Sequence, residues 1–346
     1  MTRIIFRDFD EFADAINGVN GRFIPTTRSL SDWWVQVESI GRLPIQQLQA
    51  GCGTTFAGDG ADRALTVGIP TSISQQIRVD GEGLESNSLI LIKQHQPFMV
   101  SSRLPTRWAG ITLPLDHPSL DPALLQCLIT QADQRGGPHV QATLPEVVAT
   151  RALITRLLSA SDSVELVNAA AIRFAEDDIM TTVSRLLESC SRYQGVSKQR
   201  RPRFPRERVV AKALAFIEEH EGQPLFMSDL CAATDVRERT LRNIFSEYFG
   251  IGPMRLLKVR QLREIRAALT SAEHGEQKIA SIAARFGVWD HSAFARHYKA
   301  LFDETPSMTL RTPPSTRKQA GLLSESWIRY ASRKFSGSAS ENAPRM

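Results

Sequence analysis

Apolar positions change their spacing near residue 117, and the change divides the chain into a strand-like front and a helical remainder. Up to about residue 116 the apolar residues sit in short runs, WWVQVES, RALTVGIP, ISQQIRV, SLILIK and RWAGITLP, separated by turn signals such as VDGEG at Val79–Gly83. Several short runs at that spacing predict an antiparallel barrel or sandwich. From Asp121 the period lengthens. DPALLQCLITQADQ, LPEVVATRALITRLLSA and a run from Ala170 to Cys190 each predict a helix, the last with a stripe of Ile172, Ile179, Met180, Val183, Leu186 and Leu187.

Near the other end, SIAARFGVWDHSAFARHYKALFDETPS (Ser281–Ser307) holds two such stripes with a break between them. Ile279, Ile282, Ala283 and Phe286 predict a short helix, and Phe294, Tyr298 and Leu301 predict a second. Gly287 ends the first, since a reversing chain takes a positive φ there at no steric cost. Ala283 and Ala284 are small enough for the two helices to cross closely. Trp289, in the turn, is expected to cap the core of this hairpin. Helical hairpins are common in any α-rich core, so one alone says little.

A second copy changes that. In MSDLCAATDVRERTLRNIFSEYFGIGP (Met227–Pro253), Leu230 matches Ile282 and Asp235 matches Gly287; after a slip of one residue, Leu241 matches Phe294, Phe245 matches Tyr298 and Pro253 matches Pro306. Asp is among the few residues that tolerate a left-handed conformation. Between the copies, PMRLLKVRQLREIRAALTS (Pro253–Ser271) predicts one helix with Met254, Leu257, Leu262, Ile265 and Leu269 as its stripe and Arg255, Arg260, Arg263 and Arg266 over much of the rest. About 18 helical residues span roughly 27 Å. Such a spacer could hold two recognition helices on successive major-groove segments, which lie roughly 34 Å apart.

The outward faces carry the chemistry. Arg239, Arg242 and Asn243 on the first recognition helix, and His291, Ser292 and Arg296 on the second, are the candidate base readers, because arginine addresses guanine and asparagine adenine with paired hydrogen bonds. Arg237, Lys258, Arg263 and Lys299 are candidate phosphate contacts.

Residues of about 206 to 311 resemble the DNA-binding domain of the AraC/XylS family of transcriptional regulators. The matching pieces are Leu230 through Val236, RTLRNIF, GIGP and RQL, then IAARFGV, SAFARHYK and the closing Pro306. Arg237 stands where the family usually has a capping serine, and Asp303 where a glycine is usual. The resemblance implies an α+β chain: a cupin-like antiparallel β-barrel (about 1–116) with following helices (about 121–190) as a sensing and dimerisation domain over 1–192, and an all-α domain over 207–311 with two helix-turn-helix motifs joined by a linker helix. It implies double-stranded DNA and RNA polymerase as partners, a homodimer that uses the Ala170–Cys190 stripe, and activation in response to a small molecule. Trp33, Trp34, Phe56, Phe98 and Trp108 are the candidate lining of an effector site in the barrel mouth.

Charge agrees with this division of labour. The chain has 42 Lys and Arg against 37 Asp and Glu, but residues 1–197 hold 16 basic and 21 acidic groups and residues 198–311 hold 20 and 14. A basic excess confined to the back half suits phosphate neutralisation there. Residues 193–206, within GVSKQRRPRFPRERVV, are expected to be a basic linker, and 312–346 a disordered tail. Cys52, Cys127, Cys190 and Cys231 lack CxxC spacing and are expected to be reduced, mostly buried thiols. No signal-like or membrane-length apolar run occurs, which predicts a soluble cytoplasmic protein without a membrane partner. Two enzymatic alternatives remain, a metal-dependent cupin and a cysteine-based methyl acceptor for DNA repair. The first would need clustered histidines, and the strand-rich part has His95 with His117 just after it; the second would need clustered cysteines. No cofactor or metal is expected.

Overall fold

In the computed structural model, which describes residues 3–27, 29–72, 76–135, 137–160, 169–193, 204–272 and 278–311, the chain divides into two compact units, the second being residues 202 onward together with the short segment 24–28. The front unit runs β1 (Ile4–Phe6), α1 (Phe9–Asp14), β2 (Val19–Pro25), β3 (Trp33–Ile40), β4 (Leu43–Ala50), β5 (Thr54–Gly60), β6 (Ala64–Pro70), β7 (Ile77–Val79), β8 (Glu82–Gly83), β9 (Ser88–Lys93), β10 (Pro97–Ser102), β11 (Thr106–Pro114), α2 (Pro122–Arg135), β12 (His139–Gln141), α3 (Leu144–Ala160) and α4 (Ala169–Arg192). Its strands form two open sheets, ordered β1-β3-β4-β11-β6-β9-β12 and β2-β5-β10-β7-β8.

The expected closed barrel is therefore corrected to a pair of facing antiparallel sheets. Backbone bonding crosses between them at an isolated bridge, Gly60 to Gln94, and no ladder among the described residues joins their edges. VDGEG makes the expected turn: Asp80 and Gly81 take φ of 49° and 80°, and Val79 pairs with Glu82 across a two-residue hairpin.

Alternation sends each strand of the large sheet two ways. Leu43, Ile45, Val67, Leu91, Ile111 and Leu113 point outward and are buried under α2, α3 and α4, where they form one core with Leu128, Leu153, Ile154 and Leu158. The stripe of α4 belongs to that core: Ile179, Val183 and Leu186 are 0% exposed. This corrects the expected use of the stripe as a dimer interface, because its apolar face is already spent on its own sheet. Two of the cysteines, Cys52 and Cys190, are buried, whereas Cys127 is exposed.

The back unit is helical: α5 (Phe204–Glu219), α6 (Met227–Thr234), α7 (Glu238–Phe249), α8 (Pro253–Ser271), α9 (Ile279–Arg285), α10 (His291–Phe302) and α11 (Pro306–Arg311). The expected linker is shorter than predicted at its C-terminal end, since residues 204–206 already belong to α5; its earlier part and the 312–346 tail lie outside the described residues. Pro205 does not oppose that helix because its missing N–H falls in the first turn.

Helix α8 differs from the expected one-sided rod. Leu256, Leu257, Val259, Leu262, Ile265 and Leu269 are buried, and so are Arg260 and Arg263, while Met254 of the predicted stripe is 41% exposed. Arg260 pairs with Glu264 at 2.8 Å and donates to the His220 carbonyl at 2.7 Å, which ties α8 to the end of α5. Burial pushes the Glu264 carboxyl upward, and the adjacent Arg260 guanidinium partly offsets this. At the far end Arg266 pairs with Glu304 and lies 4.6 Å over the Phe302 ring, while Thr309 accepts from the buried Tyr298 hydroxyl at 2.8 Å and donates to Glu304.

Candidate nucleic-acid interface

The two recognition-helix candidates, α7 and α10, are seated by one repeated set of buried residues. Leu230 and Ile282 are both 0% exposed, Leu241 and Phe294 follow, then Phe245 and Tyr298, then Phe249 and Phe302. Phe302, one residue past the expected Leu301, takes the last core position because four-residue spacing from Tyr298 keeps it on the same face.

The turns do what their sequences require. Asp235 sits at φ 57°, ψ 38°, and Gly287 at φ 75°, both left-handed. A Cβ on Gly287 would lie 2.8 Å from Pro224 Cγ, so contact as well as conformation selects glycine there. Asp303, in place of the usual glycine, ends α10 at φ 56°, ψ 14°.

Helix starts differ between the copies. Asp290 caps α10, its Oδ1 accepting from Ala293 N at 2.9 Å. Arg237 is the residue before α7 and makes no side-chain cap, so that helix gives up roughly 1 kcal/mol of capping. In exchange an exposed cation stands at an end whose free N–H groups favour phosphate.

The Asp290 cap has a pH signature. Its carboxyl is held below the ordinary carboxylate range, first by the Ala293 backbone N–H and, more weakly, by Ser292 N–H, Arg296 and His291, against a raising effect of desolvation. A depressed folded-state value stabilises the folded form above the unfolded pKa, and the contribution is lost as pH falls through the folded value. Thermal melts of Asp290→Ala are expected to lie below those of the parent at neutral pH and to converge with them in acid. A constant offset at every pH would remove the carboxylate from the account.

On the outward faces Arg237, Arg239, Arg242, Asn243, His291, Ser292, Arg296 and Lys299 are all exposed. Arg242 forms an ion pair with Glu238 at 2.6 Å, one turn back, with both side chains 54% exposed. Such an exposed pair holds little energy and can yield the guanidinium to a base edge. Lys258 is half-buried; its Nζ donates to Gln261 Oε1 at 3.0 Å, and burial lowers its pKa while Asp290 opposes that. Arg263 is 2% exposed and drops out of the phosphate set, since a guanidinium inside the core cannot reach a strand outside it.

Two residues were missed by the sequence reading. His297 is held below the ordinary histidine value by desolvation first, then by Lys258, Arg296 and Arg255, which places the middle of α10 and the first turns of α8 in one cationic patch. Spacing gave no signal, because His297 falls opposite the apolar Ile244 in the repeat and Arg255 lies past its closing proline. Trp289 is 77% exposed, which corrects the expectation that it caps the hairpin core.

In the front unit the five candidate aromatics separate. Phe56, Phe98 and Trp108 line an interior cavity of about 80 Å³ between the sheets, with Leu48, Ile92 and Val100. Trp33 stands behind it, edge-on to Phe12 at 5.0 Å and Phe23 at 5.7 Å. Trp34 points to the opposite face of the sheet and lines a cleft beside α3. His95 is an exposed turn residue 3.0 Å from Asp62, while His117 is buried 3.5 Å from Glu176. Among the described residues no group of three or more His, Cys, Asp or Glu is arranged to hold a metal ion, and no helix is long and apolar enough to cross a membrane.

Paired hairpins with cationic outer faces define a helix-turn-helix domain, and residues 230–312 match the family described as "Helix-turn-helix domain". Within that class the domain is similar to those of AraC/XylS-type regulators. The chain is 33% identical over 106 residues to the probable thc operon regulatory protein of Rhodococcus erythropolis, covering 31% of this chain and 32% of that protein. It is 33% identical over 105 residues to the XylDLEGF operon transcriptional activator of Pseudomonas putida, covering 30% and 32%. Regulatory protein HrpB of Ralstonia nicotianae is 31% identical over 94 residues, covering 27% and 20%. The chain thus spans about a third of the length of the first two relatives it matches. No solved structure matches it.

Proposed function

We propose that this protein is a sequence-specific DNA-binding transcriptional regulator in which α7 and α10 enter successive major-groove segments of one duplex. The observation that carries the reading is the doubled burial pattern, which seats two helices alike and leaves arginines, histidine and asparagine on both outer faces. Arg239, Arg242, Asn243, His291, Ser292 and Arg296 read bases; Arg237, Lys258 and Lys299, joined by Arg255 and His297, hold phosphates. An activator role is supported by the name of the Pseudomonas relative. RNA polymerase is then the natural partner, with the cytoplasm as the setting. The front unit senses a signal, and the active form is a homodimer joined elsewhere than through the α4 stripe.

The test is the ratio of specific to non-specific DNA binding by the full chain at fixed salt, using genomic fragments selected by the protein itself. A regulator is expected to prefer its selected site by about 10³-fold or more, on the order seen for specific binders. Equal affinity for all sequences, falling together as salt rises, would instead define a non-specific DNA-coating protein.

A further inference from the structure

The two hairpins differ by one inserted residue, and that residue is a tryptophan. In the first, Arg237 stands directly between Val236 and α7; in the second, Val288 is followed by Trp289 and only then by Asp290, which caps α10. Counting from Arg237 and Asp290 restores the repeat, since Leu241 and Phe294 both lie four residues on. The slip therefore adds Trp289 ahead of the second helix and leaves the core behind it in register.

The backbone that carries Trp289 is held on both sides. Gly287 lies against Pro224 with no room for a side chain, and the Phe286 carbonyl accepts from Gln261 Nε2 of α8 at 2.7 Å. Val288 is buried, its N–H on the Ala283 carbonyl at 3.1 Å, and Asp290 is committed to its cap. The indole itself is not held. A residue just ahead of a cap ordinarily folds back on the fourth helical residue as a hydrophobic staple. Here that residue is Phe294, which is 2% exposed and packed edge-on to Tyr298 at 5.6 Å, and the indole makes no ring contact or hydrogen bond with another described residue.

Its surroundings indicate what covers it. Asp290 lies in the field of Arg296 and His291 on α10 and of Lys258 on α8, and His297 in that of Lys258, Arg296 and Arg255. The indole thus stands at the edge of a cationic surface, which suits a polyanion. Next along the chain are His291 and Ser292, the first two residues of α10, and the N-terminal residues of a recognition helix are the ones that meet base edges. In the major groove thymine alone among the bases offers an apolar group, its 5-methyl, and an indole has one N–H to donate and nothing with which to accept.

We propose that Trp289 reads the 5-methyl group of one thymine at the edge of the DNA segment that α10 enters. The second hairpin then adds an apolar contact to a surface otherwise made of charged and polar groups. This rests on the DNA reading proposed above. Contact with phosphate through Nε1–H, or with a protein partner, is what the test separates from it.

Uracil scanning of the selected DNA site provides that test, because replacing thymine by uracil removes the methyl and leaves every hydrogen-bonding atom in place. The α10 half is the one in which Arg296→Ala relaxes preference. With the parent chain, one thymine there is expected to lose about fourfold in affinity with its methyl, the worth of one buried CH₂ group. Trp289→Ala is expected to weaken binding to the thymine site by about fourfold or more and to bind the thymine and uracil sites alike, while Trp289→Phe keeps part of the difference. Because the side chain is exposed, Trp289→Ala is expected to melt with the parent, which separates a lost contact from a lost fold. The proposal is overturned if the α10 half of the selected site holds no thymine that responds to uracil, or if the alanine variant keeps the response. Equal loss by that variant on every sequence also overturns it and assigns the indole to phosphate. Unchanged DNA binding with weaker transcription by added RNA polymerase overturns it in favour of a protein contact. A parent that binds selectively but ignores uracil removes the methyl contact alone; a parent without sequence preference removes the regulator reading as well.

Discussion

Replacing Arg242 and Arg296 together with alanine is expected to weaken binding to the selected DNA site by about 2 to 6 kcal/mol, the sum of two bidentate base contacts on separate helices. Each single change should take roughly half and relax sequence preference at one position, and the two positions should lie about one helical turn apart. Lys299→Ala offers the contrast. Removing a phosphate-holding ammonium there should weaken all sequences alike and lower the salt slope by about one. Competition binding against a library randomised one position at a time measures both effects. If the double variant kept its preference at every position, α7 and α10 would not be the readers.

The largest expected drop in stability falls at Phe245. Its side chain is 0% exposed and its ring meets Phe249 at 4.9 Å, on the buried face of α7. Truncation to alanine should cost about 3–5 kcal/mol, since the surrounding helices cannot collapse fully into the space. Against the roughly 5–15 kcal/mol typical of a whole domain, this would leave the back unit marginal. Chemical denaturation followed by circular dichroism should show an early loss of helix, with the sheet signal of the front unit retained to higher denaturant. A drop below about 1 kcal/mol would mean that the site repacks and that the repeated core is looser than its burial implies.

Much of the back unit was legible because its periodic residues are also its buried ones. Leu230, Leu241, Phe245, Ile282, Phe294 and Tyr298 all lie in the core, and Asp235 and Gly287 take the left-handed turns that their side chains allow. What escaped was the burial of the arginines on α8, a helix whose bounds were otherwise as expected. Its arginines looked like a solvated face, yet Arg260 is internal with a carboxylate four residues away, a pairing that sequence spacing permits on any exposed helix as well. Helices α5 and α11 were not predicted, their short stripes lacking a matching copy.

In the front unit, β3, β6, β7, β9 and β11 were found from their apolar runs, but β1, β2, β4, β5, β8, β10 and β12 were not. The reason is visible in β5: TTFAGDG is buried at all seven positions, so neither alternation nor hydrophobicity marks it. In β4, Gln46 and Gln49 are buried as well; Gln46 bonds to both backbone groups of Asn17, which satisfies a polar side chain that a sequence pattern reads as exposed. The candidate aromatics divided between two cavities because adjacent residues on a strand face opposite ways. Trp33 and Trp34 could never have lined one pocket together.

Because α8 is enclosed along most of its length and held by Arg260 near its middle toward His220 and by Arg266 further on toward Glu304, neither hairpin can be excised as a module. A cut within α8 would hand each fragment half of a hydrophobic rod and an orphaned ion. Hydrogen exchange should accordingly release the amides of α7 and α10 in one event, so that a lesion beneath one of these helices is felt at the other.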